Sequence, residues 1–285
     1  MESPVNKEVK KLLHNTITKL EDTLNADVLS YFGPIADGAA NYFLEVLETL
    51  ASHADKRPQL AVLLTTNGGS AMAVERFVNI IRKHYDKVIF IVPDYAFSAG
   101  TIFCMSGDEI WMDYFSVLGP IDPQIKNKDG KYVPALGYLD KVNELLEKAK
   151  KGKLSQAEFV ILKDFDLAEL RGYEQAKALT ISLLKKWLVK YKFKNWVTHA
   201  SSGTPVTEQD KEKRAEQIAA DLGNNSKWCS HGRPINIEEL EDLGLKIVDF
   251  SDRPERAGIR EYYTLLQDFN QKYDNSLLIQ TRLNI

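Results

Sequence analysis

The hydrophobic pattern alternates between short continuous apolar runs and longer segments with helical spacing. Strand-like apolar runs occupy residues 28–32, 60–64, 88–92 and 245–250. Helical spacing covers residues 39–50, 72–84, 237–243 and 256–273. Continuous apolar strands that alternate with helices are typical of a parallel sheet covered on both faces. The pattern therefore predicts an α/β fold with a mostly parallel sheet and flanking helices.

Two further helical regions extend this picture. Apolar residues from Val9 to Leu24 repeat at helical spacing, which predicts an N-terminal amphipathic helix within residues 1–25. From about residue 126 to 226 the pattern is nearly all helical, and we interpret this block as a helical insertion whose apolar face, with Trp187 and Trp196, serves packing. The predicted division is the helix 1–25, a domain 26–250 that contains the insertion, and a C-terminal helix and tail 251–285.

Composition is that of a compact globular protein without a basic surface. The 285 residues are 44% hydrophobic, with a net charge of −3 and a pI near 6.0. This balance argues against a nucleic-acid partner, and the lysines between Lys148 and Lys153 are more simply the solvated end of a helix. Cys229 and His231 are two candidate metal ligands, but zinc needs three or four. We therefore predict neither a metal nor a cofactor.

Cysteine content and hydropathy favour a cytoplasmic protein. Two cysteines are too few for a disulfide framework, and Cys104 lies in an apolar run where a buried thiol is usual. Residues 1–20 lack the uninterrupted apolar core of a signal peptide. The most apolar window, residues 88–105, is interrupted by Pro93 and Asp94, so no integral membrane segment is predicted.

Ser98 is the candidate nucleophile. It follows the apolar run 88–92 closely and precedes a second apolar run, 101–105. A serine at a strand-to-helix junction presents its hydroxyl at the sheet edge, and the amide of the next residue, here Ala99, is free to stabilise an oxyanion. The alternative is an ordinary packing or helix-capping serine.

A pair of glycines follows the preceding strand and is a candidate oxyanion hole. Gly68 and Gly69 come after the run 60–64 and before the helix from Met72. Glycines lack a Cβ, so their amides approach a ligand closely. Asn67-Gly68 is also a common turn dipeptide, and a simple turn is the alternative interpretation.

Five ordered motifs resemble one protein family. They are Asn67-Gly68-Gly69, Tyr95-Ala96-Phe97-Ser98-Ala99-Gly100, Asp108-Glu109-Ile110-Trp111-Met112, Leu118-Gly119-Pro120-Ile121-Asp122-Pro123-Gln124 and Ser230-His231-Gly232-Arg233-Pro234-Ile235. Together they resemble the serine dehydrogenase proteinase family, which is related to signal peptide peptidase A and, more distantly, to the Clp protease proteolytic subunit. The resemblance implies the Clp/crotonase fold, a serine nucleophile at Ser98 and an oxyanion hole formed by Gly68, Gly69 and Ala99.

The base that activates Ser98 is a choice between two residues, His231 and Lys141, and Asp122 is the candidate partner of His231. His231 lies in a segment that, in Clp-type proteases, passes beside the active site, although a histidine at a helix entry is the alternative interpretation. Asp122 stands 24 positions after Ser98, close to where the Clp subunit places its histidine. We therefore predict that His231 is the base and that Asp122 orients it, with a turn-capping Asp122 equally open. Lys141 is the alternative base, in a Ser–Lys dyad like that of signal peptide peptidase A.

The predicted function is a serine peptidase that cleaves peptide or protein substrates through an acyl-enzyme on Ser98, assembled as a homo-oligomer. Alternatives are a catalytically inactive oligomeric scaffold of the same fold, or an esterase or acyl-transfer enzyme. An α/β-hydrolase is disfavoured because its nucleophile elbow needs glycine where this chain has Ala96. A crotonase-type acyl-CoA enzyme would have no need of Ser98.

Overall fold

A six-stranded sheet forms the centre of the protein in a computed structural model that describes residues 3–126, 132–199 and 202–285. The strands in chain order are β1 (Asp27–Phe32), β2 (Gln59–Thr65), β3 (Lys87–Val92), β4 (Tyr95–Ala96), β5 (Glu109–Met112), β6 (Val117–Leu118), β7 (Gln124–Lys126), β8 (Tyr132–Pro134), β9 (Val248–Asp249) and β10 (Leu278–Gln280). Their order in the central sheet is β10-β1-β2-β3-β5-β9, and every pairing except β10 with β1 is parallel. The predicted α/β fold with a mostly parallel sheet is confirmed.

The helices lie on both faces of this sheet and in a block between β8 and β9. They are α1 (Pro4–Leu24), α2 (Ala40–Ala51), α3 (Ala71–His84), α4 (Ala99–Cys104), α5 (Ala135–Lys150), α6 (Gln156–Lys163), α7 (Leu167–Trp187), α8 (Glu208–Leu222), α9 (Asn225–Trp228), α10 (Ile237–Asp242) and α11 (Glu255–Tyr273). Among the described ranges, no helix is long and apolar enough to cross a membrane.

Side-chain alternation along the strands divides the core into two parts. On β2, Val62 and Leu64 pack into the larger cluster with α2, α3 and α4, whereas Ala61 and Leu63 pack into the smaller cluster with α1 and α11. Both faces of the strand are buried, which explains why its sequence is a continuous apolar run rather than an alternating one. Trp187 is fully buried and Trp196 packs on the core, as expected for packing residues.

Three elements differ from the sequence-based expectation. The block predicted to be nearly all helix also contains the antiparallel pair β7–β8, and the predicted strand 245–250 shortens to β9. The tail contains β10, which pairs antiparallel with β1 at the sheet edge. Strands of two or three residues are too short to show a period of two in the sequence. They are stabilised by pairing with a neighbouring strand rather than by a pattern of their own. Residues 127–131 and 200–201 of the predicted insertion lie outside the described residues.

Candidate active site

Two loops meet at the carboxyl edge of the sheet, one after β2 and one after β3. The amide of Thr66 donates to the carbonyl of Tyr95 at 3.2 Å, and the amide of Phe97 donates to the carbonyl of Thr66 at 2.9 Å. These two bonds join the loops as in a short parallel ladder. They bring the glycine pair that follows β2 against Ser98.

Ser98 occupies a strained backbone position at the start of α4. Its φ is 53° and its ψ is −115°, which lies outside the helical, extended and left-handed regions that side-chain-bearing residues favour. Although it stands at the N-cap position, its side chain makes no capping hydrogen bond. Its partly exposed hydroxyl therefore remains available for chemistry, which contradicts the alternative interpretation of Ser98 as a helix-capping residue.

Gly68 and Gly69 are required by space as well as by backbone conformation. A Cβ on Gly68 would lie 2.8 Å from the Ser98 Cβ and 3.2 Å from the Ala99 nitrogen. A Cβ on Gly69 would lie 2.0 Å from the carbonyl oxygen of Ile35, and both glycines have positive φ. A larger residue at Gly68 would push the loops after β2 and β3 apart, and one at Gly69 would displace Ile35 in the segment after β1.

The backbone amides around Ser98 differ in availability. The Gly68 amide donates to the Thr66 hydroxyl at 2.9 Å, so it is already satisfied and is not free to bind an oxyanion. Ile35 bonds to the residues on either side of Gly69, through the Gly68 carbonyl at 2.9 Å and the Ser70 amide at 2.8 Å. The amides of Gly69 and Ala99 donate to no acceptor within the described part of the chain. The two open donors are thus Gly69 and Ala99, while Gly68, which lacks a Cβ, leaves space for Ser98.

His231 lies on the same cleft as Ser98, a cavity of about 800 Å³ that also contains Gly68, Gly69 and Ala99. Its Nδ1 is buried without a hydrogen-bond partner. Burial lowers the pKa of His231 below its ordinary value, so the ring is neutral at pH 7. Within the described ranges no hydrogen bond joins His231 to Ser98 or to Asp122.

Asp122 is anchored to the start of α5. The side chain is only 2% exposed, and its Oδ1 accepts from the Leu136 amide at 3.0 Å, whereas its Oδ2 is buried without a partner. Burial is the main cause that raises the pKa of Asp122 to about 6, and the nearby charge of Asp140 adds to it. Its neighbours Ile121 and Pro123 line the Ser98 cleft, so Asp122 lies just behind the cleft wall.

Lys141 lies on the exposed surface of α5. Its ammonium pairs with Glu144 at 2.9 Å on the surface of α5, and about half of its side chain is exposed. It is not among the residues that line the cleft. The desolvation that a lysine base requires is therefore missing at this position.

Two walls of the cleft were missed by reasoning from the sequence. Residues 35–37, after β1, form one wall, where Asp37 accepts a hydrogen bond from Ser70 at 2.9 Å. Residues 175–180 of α7 form the other, although the helical block was expected only to pack. The helical spacing of α7 shows which residues share a face, but no pattern in the sequence indicates what that face covers.

Comparison with known proteins shows the family of this chain. Residues 41–277 match the family described as ClpP-like SDH-type serine proteinase, and because this match spans most of the sequence, the chain belongs to that family. The resemblance to serine dehydrogenase proteinases is thereby confirmed.

The individual relatives share little sequence identity with this chain. Two uncharacterised proteins of Methanocaldococcus jannaschii, MJ1495 and MJ0137, are 28% and 27% identical over 71% and 80% of this chain. The matches span 56% and 64% of the lengths of those two proteins. A Lys-to-Ala mutant of the 1510-N membrane-bound stomatin-specific protease, solved with a substrate peptide, has 17% identity and a TM-score of 0.48, covering 80% of this chain and 76% of that one.

The buried carboxyl of Asp122 generates a prediction on stability. An unfolded aspartate has a pKa of about 3.9, whereas that of folded Asp122 is about 6, so the fold disfavours the ionised form. Asp122→Asn keeps an oxygen for the Leu136 amide and removes this cost. We expect the variant to become more stable than the parent as pH rises from about 4 to 6, by about 1–3 kcal/mol at pH 7.

Thermal unfolding at pH 4 and pH 7 measures this difference, with Asp252→Asn, a change at an exposed position, as the control. Equal stability of parent and Asp122→Asn at both pH values would show that the carboxyl has no raised pKa.

Proposed function

We propose that the protein is a serine peptidase that hydrolyses peptide bonds through an acyl-enzyme on Ser98. The observation that carries the proposal is the arrangement at the joined loops: a strained serine without a capping bond beside two unoccupied amides, Gly69 and Ala99. Strained backbone at a nucleophile keeps its hydroxyl exposed above the sheet. Membership of a serine proteinase family supports peptides as the substrate class.

In the proposed mechanism, the Ser98 oxygen attacks the scissile carbonyl while His231 accepts its proton. The amides of Gly69 and Ala99 hold the negative oxygen of the tetrahedral intermediate. His231 then protonates the leaving amine, and a water molecule deprotonated by the same imidazole hydrolyses the acyl-enzyme. The lowered pKa of His231 supports this role because a base must be neutral to accept a proton.

Asp122 is proposed to orient His231 once substrate fills the cleft. Two buried atoms lack partners near the cleft, a potential donor on the imidazole at Nδ1 and an acceptor at Asp122 Oδ2. Catalytic hydrogen bonds are often absent in unliganded enzymes and form with substrate. Pairing of these two atoms would satisfy both and would fix the imidazole tautomer.

A homo-oligomer forms part of the same proposal. No residue of α6 is buried, and its apolar side chains Phe159, Val160 and Ile161 are each more than half exposed. Apolar surface of this kind is typical of a contact between subunits. An inactive oligomeric scaffold is the alternative function, and it would use the same surface without requiring Ser98.

The nucleophile is tested by two substitutions of Ser98. Ser98→Ala and Ser98→Gly should both abolish peptide hydrolysis and labelling by a fluorophosphonate probe. Because glycine accepts a positive φ without strain, Ser98→Gly should be more stable than Ser98→Ala by about 1 kcal/mol, measured by denaturant unfolding. Labelling that persists in both folded variants would remove Ser98 from the mechanism and favour the scaffold.

The base is tested by comparing His231→Gln with Lys141→Met. With His231 as base, acylation should rise with pH through an apparent pKa below 6.5, the ordinary histidine value. His231→Gln should then slow acylation by roughly 100-fold or more, while Lys141→Met changes it little.

His199→Gln serves as the histidine control, since His199 pairs with Asp210 at 3.5 Å and does not line the cleft. The reverse ranking, with loss in Lys141→Met and near-normal acylation in His231→Gln, would establish a Ser–Lys dyad. Rates come from stopped-flow measurements with an activated ester at several pH values.

A further inference from the structure

The Thr101 hydroxyl lies behind the nucleophile turn, and the proposed mechanism does not use it. Thr101 is fully buried in the first turn of α4, three positions after Ser98. Its Oγ1 lies 2.9 Å from the carbonyl oxygen of Ala96 and 2.8 Å from that of Gly119. The same Oγ1 accepts a hydrogen bond from the Gly119 amide at 3.0 Å. Because a hydroxyl has one proton, it donates to one of the two carbonyls at a time.

This hydroxyl stands where a bond of a parallel ladder would otherwise form. β4 and β6 pair in parallel, and the Val117 amide donates to the carbonyl of Asp94 at 2.8 Å. Bonds in a parallel ladder are evenly spaced, so the next one in this direction would run from the Gly119 amide to the Ala96 carbonyl. The Thr101 hydroxyl takes the place of that bond, at the point where β4 ends and the chain turns into α4.

Thr101 also contributes to the contacts that hold the backbone of Ser98. The φ of 53° and ψ of −115° at Ser98 are strained, and such a conformation persists only where surrounding contacts over-determine it. One contact is the hydrogen bond from the Gly100 amide to the Phe97 carbonyl at 2.8 Å, which closes the turn around Ser98. The bond between Thr101 and Ala96 closes a wider ring around the same residue. The helix is thereby tied to the strand on the other side of Ser98.

Gly119 connects this turn to a segment of the cleft wall. A Cβ on Gly119 would lie 2.5 Å from Cδ1 of Phe97 and 3.3 Å from its Cα, so Phe97 packs directly on the glycine. Ile121, two residues further along, lines the Ser98 cleft. The Thr101 hydroxyl therefore joins the nucleophile turn to the segment that carries Ile121.

We propose that Thr101 is a positioning residue for the nucleophile. Its hydroxyl holds the backbone of Ser98 in the strained conformation, so that the Ser98 oxygen and the Ala99 amide keep their relative positions at the cleft. Because Thr101 is fully buried and does not line the cleft, it acts through Ser98 and not on the substrate. The inference rests on the proposed peptidase function and adds a residue to the same site.

Three variants and a matched control separate the hydroxyl from the shape of the side chain. Thr101→Val keeps the branched shape and removes the hydroxyl, whereas Thr101→Ser keeps the hydroxyl. Thr101→Ala, which leaves room for a water molecule, replaces the valine variant if that one does not fold. The control is Thr281→Val, because the buried Thr281 hydroxyl also donates one bond, to Asn284 at 3.0 Å, and accepts one, from the Leu283 amide at 3.2 Å. Thr281 follows β10 and does not line the cleft.

Acylation by an activated ester measures how well the nucleophile is aligned in the folded variants. In Thr101→Val we expect the maximal acylation rate to fall by roughly 10- to 100-fold, with the ester concentration at half-maximal rate unchanged, because alignment is lost and binding is not. Thr101→Ser should recover most of the rate, and Thr281→Val should keep the parent rate. Near-parental acylation in Thr101→Val, or an equal loss in Thr101→Ser, would overturn the assignment.

A double-mutant cycle with Ser98→Gly tests the hold on the strained turn without any catalytic activity. Glycine accepts a positive φ without strain, so Thr101→Val releases strain only where residue 98 is serine. The factor by which Thr101→Val raises the unfolding equilibrium constant should therefore be about fivefold smaller in the Ser98 protein than in Ser98→Gly. Equal factors in the two backgrounds, measured by denaturant unfolding, would refute the role of Thr101 in holding Ser98.

The two measurements separate this inference from the proposed function. Acylation of the parent protein that Thr101→Val leaves unchanged refutes the positioning role and leaves the peptidase in place. The expected coupling to Ser98→Gly without acylation of the parent refutes the peptidase and supports the hold of Thr101 on the turn.

Discussion

The hydrogen bonds of Thr66 to Tyr95 and Phe97 are the contact on which the site depends. They join the loop after β2 to the loop after β3, and they do so at the carboxyl edge of neighbouring parallel strands. Ligand sites in α/β sheets form at this edge because consecutive strands end there together. The same Thr66 also binds the Gly68 amide through its hydroxyl. Thr66 thus holds Gly68 close to Ser98 and leaves the Gly69 amide as the open donor of the glycine pair.

Desolvation acts in opposite directions on the two candidate acid–base groups. Burial lowers the pKa of His231 and raises that of Asp122 to about 6, because it disfavours the charged form of each. In the proposed mechanism, the neutral imidazole of His231 accepts the proton of Ser98. An ionised Asp122 near a protonated His231 would stabilise the imidazolium formed during acylation. At pH 7 Asp122, whose pKa is about 6, is mostly ionised while His231 is neutral, so the carboxylate is already charged when acylation would create the imidazolium.

Much of the fold and the position of the candidate nucleophile could be predicted from the sequence, because both follow from local pattern. The apolar runs that form β1, β2 and β3 are continuous in the chain, and so is the segment around Ser98. Each can therefore be recognised without knowledge of distant residues. The candidate base and the cleft walls depend on residues far apart in sequence, such as His231 and Gln175, and no periodicity in the sequence indicates that these residues meet.

The roles of the glycine pair and of Asp122 could be distinguished only in the structure. The sequence offers both Gly68 and Gly69 as oxyanion donors, and only the hydrogen bond from Gly68 to Thr66 separates them. Asp122 looked like a triad member or a turn cap, and the bond to Leu136 shows that it anchors a helix. That bond uses one carboxylate oxygen and leaves the other open, so it is compatible with the proposed role beside His231.

In the proposed mechanism, Ser98 attacks a carbonyl whose oxygen is held by the amides of Gly69 and Ala99. A crystal structure of the protein after reaction with a peptidyl phosphonate tests this directly, because the phosphonate oxygen mimics the oxyanion. We expect phosphorus bonded to the Ser98 oxygen, with one phosphonate oxygen within about 3 Å of both amides. An adduct on another residue, or an oxygen directed away from Gly69 and Ala99, would contradict it.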